Sequence, residues 1–187
     1  MKWVGAALVC LMVVAFAAPA AAQPKADVSV GYNYLQVKQA DESDSEKIPK
    51  GWYADVAGNV TPMVGIVFQV SGNYKTFDDE GFKLKFHTFL FGVRAGSSSG
   101  TVRGFGQVLV GGAKLNGTEI GGPGKANETD LTYQVGGGVN IVGSGPVGAR
   151  IAVDYFRVQA KDSGEVLDGE SLNGFRFAVG VTFGVGK

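Results

Sequence analysis

The sequence predicts an all-β chain: eight antiparallel strands closed into an up-and-down transmembrane β-barrel. Three observations predict it. First, residues 175–185 alternate without a break, with Phe175, Phe177, Val179, Val181, Phe183 and Val185 on one face and Arg176, Ala178, Gly180, Thr182 and Gly184 on the other. Period two is a strand with one apolar face. The run exceeds the usual soluble strand of about 5–6 residues and matches the roughly 9–11 needed to cross a bilayer. Second, seven earlier segments repeat the pattern. Third, the connections between segments alternate between tight and long.

The segments follow one another in order. The first is 27–38, with Val28, Val30, Tyr32 and Tyr34 opposite Ser29, Gly31 and Asn33. The second is 51–60. The third is 64–74, where Val64, Ile66, Phe68 and Val70 alternate with Gly65, Val67, Gln69 and Ser71. The fourth runs over about 82–95 and the fifth over 102–115. In the sixth, 131–142, Leu131, Tyr133, Val135, Val139 and Ile141 oppose Thr132, Gln134, Gly136, Gly138 and Asn140. The seventh is 147–159 and the eighth is 175–185. Beyond the N-terminal segment no window carries a helical period, so the chain reads as all-β.

Tight connections follow segments two, four and six, at 61–63, 97–100 and 143–146. Longer polar ones follow segments one, three, five and seven, at 39–50, 77–81, 116–130 and 160–173. An up-and-down sheet sorts these to opposite ends. Short turns at one end and long loops at the other is the asymmetry of outer-membrane barrels.

The start of the chain predicts export. Lys2 precedes an uncharged apolar run over 3–16, and Ala20, Ala21 and Ala22 form a small-residue cleavage site before Gln23. This is the pattern of a removable secretory signal peptide over 1–22, leaving a barrel domain over 23–187. The alternative is a membrane anchor, for which the run is short. The single cysteine, Cys10, lies in this segment, so the mature chain has no thiol to form a disulfide. Of 17 basic residues only Lys2 leaves with the leader, against 17 acidic ones. Near-neutrality excludes the basic footprint of a nucleic-acid partner. The 30 glycines are well above the usual share of about 7% and follow no collagen period.

The less apolar face says which side is out. A soluble barrel would carry Lys, Glu and Thr there; this chain carries Gly, Ala, Ser, Asn, Gln and Thr. Small residues fit the interior of an eight-stranded barrel, which is barely wide enough for side chains. Between 131 and 159 the only charges are Arg150, Asp154 and Arg157, whereas Asp41, Glu42, Asp44, Glu46 and Lys47 crowd one predicted loop. A charge facing lipid near the midplane costs roughly 2–4 kcal/mol. Tyr32, Tyr34, Trp52, Tyr74, Phe86, Tyr133, Tyr155, Phe175 and Phe177 lie near the long-loop ends and are expected to form an outer aromatic girdle, with ordinary core aromatics as the alternative. Phe183 is the matching candidate at the other end.

Leader, amphipathic strands and alternating turns and loops together resemble the small eight-stranded outer-membrane barrels of the OmpA/OmpX type. The stretches 87–94 (His-Thr-Phe-Leu-Phe-Gly-Val-Arg) and 105–112 (Phe-Gly-Gln-Val-Leu-Val-Gly-Gly) resemble that group's barrel domains. The resemblance implies a bacterial outer-membrane location, both termini on the periplasmic side, contact with outer-membrane lipids and lipopolysaccharide, and insertion by the barrel-assembly machinery. It implies a structural, envelope-integrity or surface-interaction role without enzymatic activity, a narrow pore for ions or very small solutes being the alternative and a soluble ligand-binding barrel a more distant one. Two departures stand out. The last aromatic, Phe183, is followed by Gly184, Val185, Gly186 and Lys187, and no peptidoglycan-binding domain follows the barrel.

The candidate site is an inward-facing polar set. Arg150 and Asp154 share the inward face of segment seven, Arg176 faces in from segment eight, and Arg94 and Arg103 flank a tight turn. Asp55, Gln69, Gln134 and Asn140 add hydrogen-bonding groups. Buried charges need partners, so an Arg/Asp network filling the lumen is expected, with an ion path or gate as the alternative. No catalytic, cofactor-binding or metal residue is expected. His87, the only histidine, has no second His or Cys to share a metal and no adjacent serine to activate. The acidic residues 41–46 lack the spacing of a calcium loop and read as a solvated loop, although a bridging cation is the alternative. Residues 121–124 (Gly-Gly-Pro-Gly) read as a loop tip and not as a phosphate cradle.

Overall fold

The structure, a computed structural model, describes residues 25–39, 46–77, 82–97, 99–119, 125–143, 145–159 and 171–186. Eight strands follow in order: β1 (Ala26–Gln39), β2 (Glu46–Asn59), β3 (Val64–Phe77), β4 (Phe82–Gly96), β5 (Val102–Glu119), β6 (Lys125–Val142), β7 (Val147–Gln159) and β8 (Leu172–Val185). Each pairs antiparallel with its sequence neighbour, and β1 pairs with β8 from Ala26↔Val185 to Gln39↔Leu172, closing the barrel. Closure leaves no free sheet edge, which the hydrocarbon region requires of a β structure.

The apolar face points out. Val30, Phe68, Phe91, Val108, Val135, Val153, Val179 and Phe183 are exposed, Phe91 at 58%, while Ser29, Gln69, Thr132, Asp154 and Thr182 are buried inside. Such a belt around a closed barrel is the inverse of a water-soluble fold and suits lipid.

Above the belt the phase of the apolar pattern inverts while the pleat keeps its parity. Along β4, Phe89, Phe91 and Val93 face out, but Phe86 is buried and Lys85 is exposed. Leu35 and Val37 on β1, Ala113 and Leu115 on β5, and Phe156 and Val158 on β7 turn inward in the same way, with Lys38, Lys114 and Arg157 exposed beside them. With Ile48 and Leu172 they form one buried cluster at the long-loop end. Beyond lipid a barrel must bury apolar groups inside like any soluble protein. Two expectations are corrected. The inward face is not small and polar throughout: apolar side chains fill its long-loop end, and Val67, Leu90 and Leu109 form a smaller buried cluster within the belt. Phe86 is not in the girdle: it is 3% exposed, its ring centroid 6.1 Å from that of Phe156.

Strand lengths also depart from the sequence pattern. Strand β2 starts at Glu46, β5 runs to Glu119 and β6 starts at Lys125, so much of the predicted loops at 39–50 and 116–130 is ladder. Outside lipid both faces of a strand can be polar, and amphipathicity then gives no signal. Pairing between Asn33 and Leu35 of β1 and their β2 partners shifts by a bulge at Pro49, which has no N–H to give to a ladder. The predicted leader with Cys10, and the acidic and glycine-rich tips at 41–45 and 121–124, lie outside the described residues.

The tight turns match the sequence reading. The Thr61 hydroxyl accepts from the backbone N–H of Val64 at 3.0 Å and of Met63 at 3.3 Å. Gly100, in the turn after β4, has φ of 90°, a conformation that favours glycine.

Candidate functional site

Cross-strand register brings the predicted residues together. One inward row runs Arg94 (β4), Gln107 (β5), Gly136 (β6), Asp154 (β7) and Arg176 (β8), each directly paired with the next. A second joins Asn140, Arg150, Gly180, Gly31 and Tyr53. A third sets Asp55 beside Gln69. Rows climb as a tilted barrel closes, so residues far apart in sequence meet across the lumen.

The result is one connected network. Arg150 Nη1 donates to both oxygens of Asp55, at 2.8 and 2.7 Å. Arg94 Nη1 reaches the same carboxylate at 3.2 Å, and its Nε and Nη2 donate to Gln107 Oε1 at 3.1 and 2.9 Å. Gln107 Nε2 donates to Asp154 Oδ1 at 2.8 Å. Arg176 holds the other oxygen of Asp154 through Nη2 at 2.6 Å and gives Nη1 to Gln69 Oε1 at 2.7 Å. Gln134 Nε2 donates to Gln69 at 3.1 Å, and Arg150 Nε to Asn140 Oδ1 at 2.7 Å. The chain of bonds touches every strand from β2 to β8. Arg150 is 2% exposed and Asp154 is fully buried.

Aromatic faces complete the desolvated shell. The guanidiniums of Arg94 and Arg150 lie 4.8 and 5.0 Å from the Phe105 ring centroid, and Arg176 lies 5.7 Å from that of Tyr53. These are cation–π distances. Glycine makes the room: a Cβ on Gly136 would collide with the Asp154 carboxylate and the Val153 carbonyl. Gly136→Ala is therefore expected to destabilise the barrel by about 1–3 kcal/mol, read as a lower urea midpoint for unfolding from lipid vesicles.

Of the five residues proposed from sequence, Arg94, Arg150, Asp154 and Arg176 are joined. Arg103 is not. It faces the turn-end mouth, half-buried, with Nε donating to the Gly100 carbonyl at 3.1 Å. Asp55, Gln69, Gln134 and Asn140 all enter the network. Sequence reasoning missed Gln107, which carries the link between Arg94 and Asp154, and the rings of Phe105 and Tyr53. The signal for Gln107 was its inward phase opposite Val108.

Below the network the lumen opens at the turn end into a cavity of about 750 Å³, lined by Asp27, Arg94, Arg103, Phe105, Asn140 and Thr182 among others. Above it the Phe86–Phe156 cluster fills the interior.

A second constellation lies outside, at the upper edge of the belt. Trp52 Nε1 donates to the Tyr74 hydroxyl at 3.2 Å, and that oxygen lies 3.2 Å from His87 Nε2, the two rings edge-on at 5.6 Å. Lys50 and Lys85 flank Tyr74 in register, and Lys114 flanks His87. With Lys38 and Arg157 these exposed cations collar the long-loop end.

No protein-family model and no curated protein sequence matches the chain. Solved structures do. The attachment invasion locus protein Ail of Yersinia pestis superposes with a TM-score of 0.59 at 18% identity, covering 87% of this chain and 100% of Ail. Neisserial surface protein A superposes with a TM-score of 0.67 at 9% identity, covering 88% and 99%. Ail in complex with the heparin analogue sucrose octasulfate gives a TM-score of 0.55 at 15% identity, covering 87% of this chain and all of Ail. With its closed antiparallel sheet and outward apolar belt, this chain has the fold of the small eight-stranded outer-membrane β-barrels.

Proposed function

We propose that this chain is exported by a signal peptide over 1–22 and resides in the bacterial outer membrane as an integral barrel with a structural or surface-interaction role. The observation that carries the reading is the outward belt from Val30 to Val179, capped by the phase inversion at the long-loop end. The cation collar supports contact with the phosphates of outer-leaflet lipids and lipopolysaccharide, because Lys50, Lys85 and Lys114 stand where the belt meets water. Ail holding a sucrose polysulfate is a precedent for a polyanion on this fold. Nothing in this reading requires a nucleic acid or a cofactor. Insertion would rest on the barrel-assembly machinery. We assign the chain no enzymatic role: its inward charged groups are engaged with one another in the network.

Fractionation of producing cells tests the location. The protein should pellet with outer membranes and migrate faster on a gel before heating than after. Recovery in the periplasm without detergent would overturn the reading. Substituting Lys50, Lys85 and Lys114 by alanine should weaken co-purification of lipopolysaccharide, more so at raised salt. Single-channel steps in a planar bilayer, altered by Arg150→Ala or Asp154→Ala, would replace the structural role with a narrow pore. The buried network and the apolar cluster above it argue for a silent bilayer.

A further inference from the structure

The turn-end half of the lumen carries an unbalanced charge. Taken with the network that closes it, it carries four guanidiniums: Arg94 and Arg103 line the cavity, while Arg150 and Arg176 lie behind it in the network. Three carboxylates answer them: Asp55 and Asp154, both consumed in the network, and Asp27, which accepts from Asn59 Nδ2 at 3.0 Å. Asp130, the other described inward acid, lies six residues up β6 from the Gly136 row, about 20 Å away at the usual rise. One positive charge is left over across the network and the cavity it closes, and the protein walls focus its field.

The donors are placed to use it. Arg103 anchors its Nε on the Gly100 carbonyl, and among the described residues no protein group takes its two Nη nitrogens. Thr182 lines the same cavity with its hydroxyl buried and unpartnered, and Arg150 Nη2, behind the cavity-lining Asn140, is likewise buried without a partner. Arg94 stands on the inner wall over Phe105. Glycines of inward parity, Gly65 and Gly148 among them, keep the mouth wide.

We propose that this chamber is an anion-binding site for a small solute carrying an oxyanion group, with Arg103 as the residue that engages it. A guanidinium fork anchored at Nε presents its outer edge to an oxyanion in the bidentate geometry that suits phosphate or carboxylate. The network closes the inner end, so the solute enters and leaves by the turn end. This makes the lumen a pocket rather than a path. The outer-membrane reading sets only the compartment the pocket faces; binding itself can be measured in detergent.

The test is calorimetric titration of the purified barrel in zwitterionic micelles with inorganic phosphate, and separately with acetate, at low ionic strength. One saturable site is expected, and the stronger of the two titrants identifies the oxyanion class. Arg103→Ala should weaken binding about tenfold or more, as loss of hydrogen bonds to a charged group does, and Arg103→Lys should recover part of it. Asn140→Asp is a second variant that does not depend on removing an arginine. Asn140 lines the cavity on the inward row of Arg103 and Arg150, the exchange is isosteric and keeps an acceptor for Arg150 Nε, and the added carboxylate should repel the anion. Heat-modifiable migration checks that each variant is folded. Absence of saturable binding overturns the proposal. So does binding that Arg103→Ala leaves unchanged, or that is lost instead when Lys50 and Lys85 are replaced by alanine.

Discussion

Asp55→Ala is expected to cost the folded barrel about 3–5 kcal/mol, the usual penalty for removing one partner of a buried ion pair. Asp55 is the shared anion of Arg94 and Arg150, both nearly inaccessible to water. Its loss leaves two guanidiniums facing each other over Phe105, with Gln107 and Asn140 as their remaining hydrogen-bond partners. Most of the penalty is therefore the desolvation of charge left unpaired, and the net worth of the intact pair is much smaller. Asp55→Asn, which keeps shape and two lone pairs, should fall between wild type and alanine. Urea unfolding from lipid vesicles reads the effect, followed by the fluorescence of Trp52, the only tryptophan after the predicted leader. An unchanged midpoint would mean that the network is not formed as described.

Phe91→Arg is expected to destabilise the inserted barrel by roughly 2–4 kcal/mol for the charge alone at a midplane, lipid-facing position. The effect has a sign that separates two environments. Phe91 is 58% exposed, and on a water-facing surface such a replacement would be neutral or would improve solubility. In vesicles the urea midpoint should drop. The same substitution at Lys85, above the belt, should be nearly silent for stability because that position already carries a charge. A comparable effect at both sites would deny the belt an edge between Phe89 and Lys85.

The fold was legible because period two, sustained over a membrane's thickness and repeated, leaves few alternatives. The inward placement of Arg150, Asp154 and Arg176 followed from the same parity. What parity could not supply was which residues meet across the lumen. Arg94 reaches Asp154 only through Gln107, a link set by the register of β4, β5, β6 and β7. Arg103 shares Arg94's inward phase but lies further towards its turn, so it faces the open chamber. Phe86 was misplaced for a physical reason. An aromatic near a strand end suggests an interfacial girdle, yet Phe86 shares parity with Leu84 and Thr88 while Lys85 and His87 hold the outer face. The switch of apolar phase between Phe86 and Phe89 was present in the sequence and marks where lipid stops. The ladder at 46–50, 116–119 and 125–130 was hidden because strands polar on both faces look like loops.

That the apolar face meets lipid is tested most directly by spin labels on single cysteines at Val179 and Ala178, adjacent residues of β8 with opposite facing. The one native thiol, Cys10, lies in the predicted leader, so labelling uses the barrel produced without residues 1–22. In vesicles the Val179 label should be relaxed by oxygen, which concentrates in lipid, and ignored by a water-soluble nickel chelate, while the Ala178 label, packed in the lumen, should respond weakly to both. A Val179 label relaxed by the nickel chelate and indifferent to oxygen would contradict the barrel as a membrane protein.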